Sequence, residues 1–597
     1  MYIVSEDYKT QIRNTLRNPS YIKVDLSIVD PQARGDASLT STGEEYYSDI
    51  DNIKTDLEVN ETYMTLEHNR WLLNGLYNPP LEVGETHSYQ GYIGNVISDK
   101  DGIFVGQPKI TVNFVSTYYE FIGLTLDFDT IKGDYPSKIR FIAYYDDIVV
   151  LNTLEEFNYA ERASITTPIP LCNKLDIIFE ETITPFRRPR VEQLVFGIVE
   201  QFTEETIESA VWNRSIELVN SKLPEITFDF TIIDIDKLYD PENPIGIYKY
   251  MEEQQPIKFY FGYELDNGSI EWIKCGDVFT TGEVQVDSDL AIPKVTFSTT
   301  SAIGYLTNEY QKGSYTGTNK SLYDLAEEVL LFSNLPVDGL GENRWIIDSG
   351  LETIYTLMPL PKKPVRELLQ LIANAGMCVL NVDRDGYIRI EPQTTTTVDF
   401  GYTFADVTTI PKTTKYPQLM GVDTVVNQLT VESSATEIGR FTITDANSTL
   451  YEFEYELATN VSSLLNGTLS LVGTPEYYGR MCRLVLTGSG DVILNGKRIN
   501  VTKKALSVEF NSTGERCPIE NELITDEFHG AQYAEWIGDY VSRRNEYEFA
   551  ERGFPELDVG DNLTLNTLFT EDVEGTLLSN EITFDGTLKA KSKILKK

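Results

Sequence analysis

The run ITFDFTIIDIDKLYDPENPIGIYKYMEEQQPIKFYFGYELDNGSIEWIKCGDVFTTGEVQVDSDLAIPKVTFSTTSAIGYLTN, from Ile226 to Asn308, decides the fold class. Apolar residues recur every second position at Ile226, Phe228, Phe230 and Ile232, the period of a strand with one buried face. Asn267-Gly268 stands between IKFYFGYEL and SIEWIK, a pair that tolerates left-handed backbone and so predicts a hairpin. Thr, Val and Ile fill short alternating runs elsewhere, and the chain carries 35 Tyr and 27 Phe, so most of it should be β. At 597 residues it exceeds one core, and several domains are expected.

Charge is the most unusual global property. Asp and Glu total 92 against 50 Lys and Arg, a formal −42, which repels phosphate backbones and argues against tight nucleic-acid binding by the whole chain. There is no apolar run of membrane-spanning length and no basic-then-apolar leader at the N-terminus. Cys172, Cys275, Cys378, Cys482 and Cys517 form no CxxC pair, and His68, His87 and His529 show no HxH or HExxH spacing. Neither a zinc site nor a disulfide framework is predicted, and no cofactor motif is present.

Taken in order, residues 1–79 read as a short helix capped by Ser5, a strand from Tyr21, a polar acidic arm from Pro31 to Asn60, and the anchoring turn TLEHNRWLLNG. Residues 80–200 hold at least seven short strands between Gly, Asp and Pro turns, the pattern of a β-sandwich or jelly roll. Its Tyr118, Tyr119, Tyr144 and Tyr145 could stack on a pyranose face, or be core and sheet-edge residues. Residues 201–310 form the central β-domain. In 311–400, Ser321 starts one helix, Pro364 opens a second that Gly376 should end, and Asp385-Gly386 turns a hairpin, giving a small α/β insert. Residues 401–597 return to short β segments with a tight turn at Asn495-Gly496. An amphipathic helix follows over 525–544, with Phe528, Tyr533, Trp536, Ile537 and Tyr540 on its apolar side, and a closing hairpin at Asp585-Gly586.

Three polar clusters are candidates for chemistry, and each has a plainer reading. Asp234, Asp236, Asp240 and Glu242 could offer oxygen ligands to Ca²⁺ but lack the EF-hand spacing, so a turn held by Pro241 and Pro244 is preferred. GSGDV at 488–492 lacks the lysine of a phosphate loop and reads as a turn. FRRPR at 186–190 is a rare basic spot, lining a domain boundary or pairing with an acidic neighbour. No residue is assigned a catalytic, cofactor or metal role.

Four separated pieces together resemble the baseplate hub, or tail-tip, proteins of tailed bacteriophages and related contractile particles. They are YDPENPIGIYKYMEEQQPIKFYFGYE with EWIKCGDVFTTGEVQVDSD; VTFSTTSAIGYLTNEYQKG with the SLYDLAEEVL helix; KPVRELLQLIANAGMCVLNVDRDGYIRIEP; and LITDEFHGAQYAEWIGDYVSRRNEYEFAERGFPELDVGDNLTL. The resemblance implies a mainly β, multi-domain (α+β) chain with two tube-like β-barrel domains, at 201–310 and 401–597, joined by the insert. It further implies a non-enzymatic virion protein, assembled in the host cytoplasm, whose homotrimer caps the tail tube. Expected partners are the tube and distal tail proteins, the tape-measure protein and receptor-binding or fibre proteins, with DNA passing through but not held, and no stable membrane insertion. The N-terminal sandwich departs from the minimal pattern. It implies either a docking module or, as the alternative function, a tail-spike-like carbohydrate-binding or depolymerase protein.

Overall fold

The computed structural model describes residues 1–29, 31–54, 63–75, 77–79, 91–114, 118–128, 135–156, 162–165, 167–217, 223–240, 242–243, 247, 251, 255–287, 293–333, 335, 343–568 and 570–597. The chain is mainly β and builds several sheets.

The Asn267-Gly268 hairpin forms as its residues dictate. Pro256–Glu264 pairs antiparallel with Ile270–Asp287. The connection is longer than a two-residue turn: the Gly268 N–H donates to the Leu265 carbonyl and the Leu265 N–H to the Ser269 carbonyl, both at 2.8 Å. Only Gly268 is left-handed, at φ 82°, while the Asn267 side chain accepts from the Ser269 N–H at 2.8 Å.

This hairpin belongs to a 13-stranded sheet. Its path runs Gly197–Thr203, Ser20–Val29, Pro256–Glu264, Ile270–Asp287, Lys294–Thr300, Glu225–Ile233, Ile207–Ser215, Val573–Phe584, Leu588–Lys596, Asn545–Glu551 and Lys412–Lys415, with Asn562–Leu565 and Thr397–Tyr402 branching off. Val573–Phe584 is the junction strand. Residues 579–584 pair with Ile207–Ser215 of the first β half, whereas 573–576 pair with Asn562–Leu565 of the second. A register shift between Leu577 and Ser579 marks the change, as a bulge bends a strand out of one ladder. One hydrophobic core spans both halves, from Tyr8 through Phe228, Phe259 and Trp212 to Tyr402, Phe549 and Ile594. Phe228 and Phe259 stack at 3.8 Å with Trp212 edge-on to Phe259, and each such buried ring contributes about 1.5–3 kcal/mol.

The N-terminal sandwich sets a five-stranded sheet (Ala37–Ser41, Lys109–Phe114, Lys174–Thr182, Pro136–Tyr145, Ile148–Glu156) and a three-stranded one (Gln193–Val195, Leu124–Asp127, Arg162–Ile165) around a common core. The region from Pro31, read from sequence as an acidic arm, instead contributes the helix Pro31–Asp36, the strand Ala37–Ser41 and the 3₁₀ turn Ile50–Lys54; residues 55–62 lie outside the described part. Alternation decides the difference: Ala37 and Leu39 point inward from an otherwise polar segment. In the turn 65–75 the apolar residues are not what anchors the chain: Trp71, Leu72 and Leu73 are exposed, whereas Thr65, Glu67 and Arg70 are buried. Of the stretch YQGYIGNVI only Tyr92–Ile93 is strand, and its first two residues lie outside the described part.

In the insert, Ser321 caps Leu322–Phe332 by accepting from the Asp324 N–H at 3.0 Å, and Pro364 directly precedes Val365–Ala375. Gly376 is not the left-handed terminus. That is Met377, at φ 58°, and the Cys378 N–H reaches back to the Ala373 carbonyl at 2.8 Å. Gly376 is small for another reason: a Cβ there would sit 3.1 Å from Leu351.

Two turn readings between 400 and 520 are overturned. Met481–Glu509 is one strand of 29 residues, flanked by Leu419–Val431 and Thr436–Glu454. Asn495-Gly496 lies within it, where Ile438, Val461 and Ala458 crowd the missing Cβ. GSGDV is a bulge rather than a turn: Gly490 has φ 154°, and a Cβ would meet the Asn466 carbonyl oxygen at 1.8 Å. Gly490→Ala should therefore cost about 2 kcal/mol or more and loosen the lobe 436–500 alone, read as faster amide exchange there with the 13-stranded sheet unchanged. Helix Glu527–Val541 lies close on these strands through small residues. Gly530 and Gly538 face Val426, Leu506 and Phe510, with Tyr533, Ala534 and Ile537 buried, whereas Phe528, placed on the apolar side from sequence, is exposed.

Candidate functional site

The four tyrosines of the sandwich do not form one surface. Tyr118 and Tyr145 stack on each other, with centroids 4.7 Å apart, beside the left-handed turn Asp146-Asp147. The Tyr118 hydroxyl donates to Asp146 Oδ1 at 2.7 Å, and Asn173 braces the same carboxylate. Tyr119 is buried against Phe114 and donates to Asp36 at 2.6 Å. Tyr144 has Lys174 over its ring at 4.8 Å and its hydroxyl on Asp176 at 3.2 Å. Tyr118 and Tyr145 are exposed, Tyr144 is half-buried and Tyr119 is buried.

FRRPR is internal. Arg190 pairs with buried Glu67 through both guanidinium nitrogens, Arg188 donates its backbone N–H to Glu67 at 2.8 Å and its guanidinium to Glu45 at 2.6 Å, and Arg187 donates to the His68 carbonyl. Thr65 completes the set on Glu67. Burial alone would raise the Glu67 carboxyl, but the Arg190 charge and these donors overcome it and draw it down to about 2. The basic spot therefore clamps the loop 65–70 onto the sandwich.

A second buried polar set joins the two β halves, the insert and the N-terminal segment. Loop 551–561 receives Arg214 from the strand Ile207–Ser215 (Leu557 carbonyl, 2.7 Å) and Arg384 from the insert hairpin (Pro555 carbonyl and Asp558, 2.8 Å each). The Met1 amino group sits 2.9 Å from Asp561, Tyr8 donates to Glu556 at 3.0 Å, and Arg17 donates to the Arg552 and Gly553 carbonyls. Nothing local in the sequence announced this set, because its cations come from segments hundreds of residues away.

The remaining candidates resolve as turns and packing. Asp234 is buried and accepts from the Leu238 and Tyr239 N–H groups at 3.0 Å; Pro241 and Pro244 lie outside the described residues. Among the described residues no group of three or more His, Cys, Asp or Glu is placed to hold a metal ion, and no helix is long and apolar enough to cross a membrane. His529 is buried with Nε2 at 2.7 Å from the Ala375 carbonyl, and His87 lies outside the described residues. The cysteines are unpaired, and burial pushes the Cys172 thiol up to about 11 and those of Cys275, Cys378 and Cys482 to about 12, far from thiolate chemistry. A cleft of about 1070 Å³ lies between helices Val365–Ala375 and Glu527–Val541 and the strand Leu588–Lys596, with Leu371, Tyr533 and Ile537 inside and Arg543, Glu546 and Lys593 at one side. Among its described lining residues there is no Ser, His or Asp, so it holds no Ser-His-Asp arrangement.

No family model matches the chain, and no curated protein matches it. Solved structures do. The 43 kDa tail protein of prophage MuSo2 from Shewanella oneidensis is 12% identical, with 67% of this chain and 96% of that one covered and a TM-score of 0.39. A tail protein from Neisseria meningitidis is 8% identical over 67% and 94%, with a TM-score of 0.38. A component of the E. coli type VI secretion system, described as structurally similar to bacteriophage T4 tail proteins, is 8% identical over 66% and 74%, with a TM-score of 0.32.

Proposed function

We propose that this chain is a structural, non-enzymatic tail-tip protein: one subunit of a hub ring that caps the distal tail tube, anchors tip or receptor-binding proteins and leaves a channel for DNA. The reading rests on one observation above the rest. The two β regions that the resemblance assigns to tube-like domains lie side by side in a single sheet and share a core, joined through Val573–Phe584. A subunit that fuses two such modules can match a sixfold tube with three copies. The arginine-filled junction at loop 551–561 fixes their relative angle, which a ring needs if it is to close. The tube and distal tail proteins, the tape-measure protein and fibre proteins are the partners this role requires, within the virion.

Native mass spectrometry and particle imaging of the purified chain test it. Three copies arranged about a hollow axis are the expected result; a stable monomer, or a position off the axis of a particle, would overturn it. The net charge of −42 adds a second expectation. Neutralising carboxylates that the assembled ring turns toward its axis should slow DNA release, because a wall of like charge keeps the phosphate backbone from adhering. Unchanged release would remove the charge argument.

A further inference from the structure

The strand Ile148–Glu156 ends the five-stranded sheet of the sandwich. It pairs with Pro136–Tyr145 on one side, and among the described residues no strand pairs with its other side. Edge strands present every second N–H and C=O to solvent, and chains normally blunt them with proline, lysine, inward-pointing charge or a β-bulge. IVVLNTL, from Ile148 to Leu154, has no proline, lysine or inward-pointing charge, and its one such device is a bulge that leaves Val150 unpaired. Its side chains are also unusually open, with Ile148 68%, Val149 52%, Val150 39% and Leu154 38% exposed, and Tyr145 and Leu171 continue the apolar patch. An apolar edge of this kind is a template for another strand.

The charges at its ends select the occupant. Asp146 and Asp147 lie at one end and Glu155 and Glu156 at the other. Among the described residues no Lys or Arg is within ion-pair distance of Asp146, Asp147 or Glu155, while Glu156 is 3.9 Å from Lys138. Antiparallel pairing of two copies of this strand would bring the Asp end of each against the Glu end of the other. Like charges directly opposite are destabilising, so a second copy is disfavoured. We infer that the free edge of Ile148–Glu156 docks an extended segment of a different protein, apolar in its centre and carrying Lys or Arg at both ends, by adding it as a sixth strand. This deepens the anchoring role proposed above and rests on it: the docked segment would belong to a tip or fibre protein.

The test uses the full chain and a fluorescein-labelled probe peptide of about ten residues, alternating Val and Thr with two Lys at each end. Anisotropy should show binding that weakens as salt rises, and about tenfold weaker binding when the lysines are replaced by glutamate. Strand addition also uses only one edge of the peptide. N-methylation of one alternate set of its residues should abolish binding, while methylation of the other set leaves it. Ile148→Lys combined with Leu154→Lys, both at exposed positions, should lose the Lys-flanked peptide about tenfold with the circular dichroism spectrum unchanged. Equal binding of the Lys and Glu peptides, equal effects of the two methylation sets, protection of these amides by dimerisation of the chain, or no binding would each overturn the inference. A ring that fails to form while the peptide still docks would sink the hub reading alone; a ring that forms without peptide docking would sink this one alone.

Discussion

Glu67→Ala will destabilise the N-terminal sandwich by about 3–5 kcal/mol, the cost of removing one partner from a buried ion pair. The reason lies in what stays behind. Arg190 is buried, and with Glu67 gone it loses the carboxylate that both its terminal nitrogens address, while the Arg188 N–H and the Thr65 hydroxyl lose their acceptor. Loop 65–70 should then lift from Arg187. Arg190→Ala should cost a comparable amount, because it strands the carboxylate instead. Replacing both by leucine should cost less than either single change, since no charge is left without a partner. Amide exchange of peptides from 91–195 reads the effect separately from the other cores, which a whole-chain melt would blur. The same carboxylate sets an acid limit. Its folded value of about 2 lies below the ordinary 4.5, so its contribution is complete above pH 4.5 and is lost as pH falls toward 2. That window is worth on the order of 3 kcal/mol. A Glu67→Ala loss below about 1 kcal/mol at neutral pH would show that the loop is not held by this pair.

The two buried polar sets also mark the limit of what the sequence discloses. Local features were readable because their physics is local. Ser321 caps its helix, and Gly268 and Gly386 turn their hairpins. Pairing partners were not readable, because alternation says which face is buried and nothing about which strand lies alongside. Ser20–Val29 therefore gave no sign that it would sit between Gly197–Thr203 and Pro256–Glu264. Glycine misled wherever its small size, not its backbone freedom, was the reason for it. Gly496 sits mid-strand among Ile438, Val461 and Ala458, and Gly376 makes room for Leu351. Of the site residues, Tyr118 and Tyr145 meet, Tyr119 turns inward with the alternation of its strand, and Tyr144 is covered by Lys174. FRRPR was legible as a basic anomaly, and its partner Glu67 was not, since an acid in a chain with 92 of them carries no signal.

Glu551→Gln will stabilise the chain at pH 8 and leave it almost unchanged at pH 4.5. Glu551 is buried among Ser592, Asn580 and Tyr402, and accepts from the Gly553 N–H at 2.7 Å. Burial is the largest influence on it and raises its carboxyl to about 7, even though the Gly553 and Ser592 hydrogen bonds and the Arg17 charge pull the other way. The folded state thus holds a proton that the unfolded state releases near pH 4.5. Stability must then fall as pH rises from 4.5 to 7, the reverse of the Glu67 window. The loss over that range is on the order of 3 kcal/mol, and burial raises neighbouring Glu556 in the same direction. A glutamine can keep its carbonyl oxygen toward the Gly553 N–H and turn its NH2 toward the Ser592 hydroxyl, which can accept, while removing the titration, so the part of the fall that Glu551 causes should vanish and the part from Glu556 remain. Amide exchange of the strand Asn545–Glu551 at pH-matched intrinsic rates decides it: the wild-type chain should lose protection between pH 5 and 8, and the variant should lose clearly less. This strand pairs with Leu588–Lys596 and Lys412–Lys415 and shares its core with the loop that receives Arg214 and Arg384, so losing it would loosen the second β half where it meets the first. A wild-type chain equally protected at both pH values would mean that Glu551 ionises without penalty, and that water or an unrecognised cation reaches the junction.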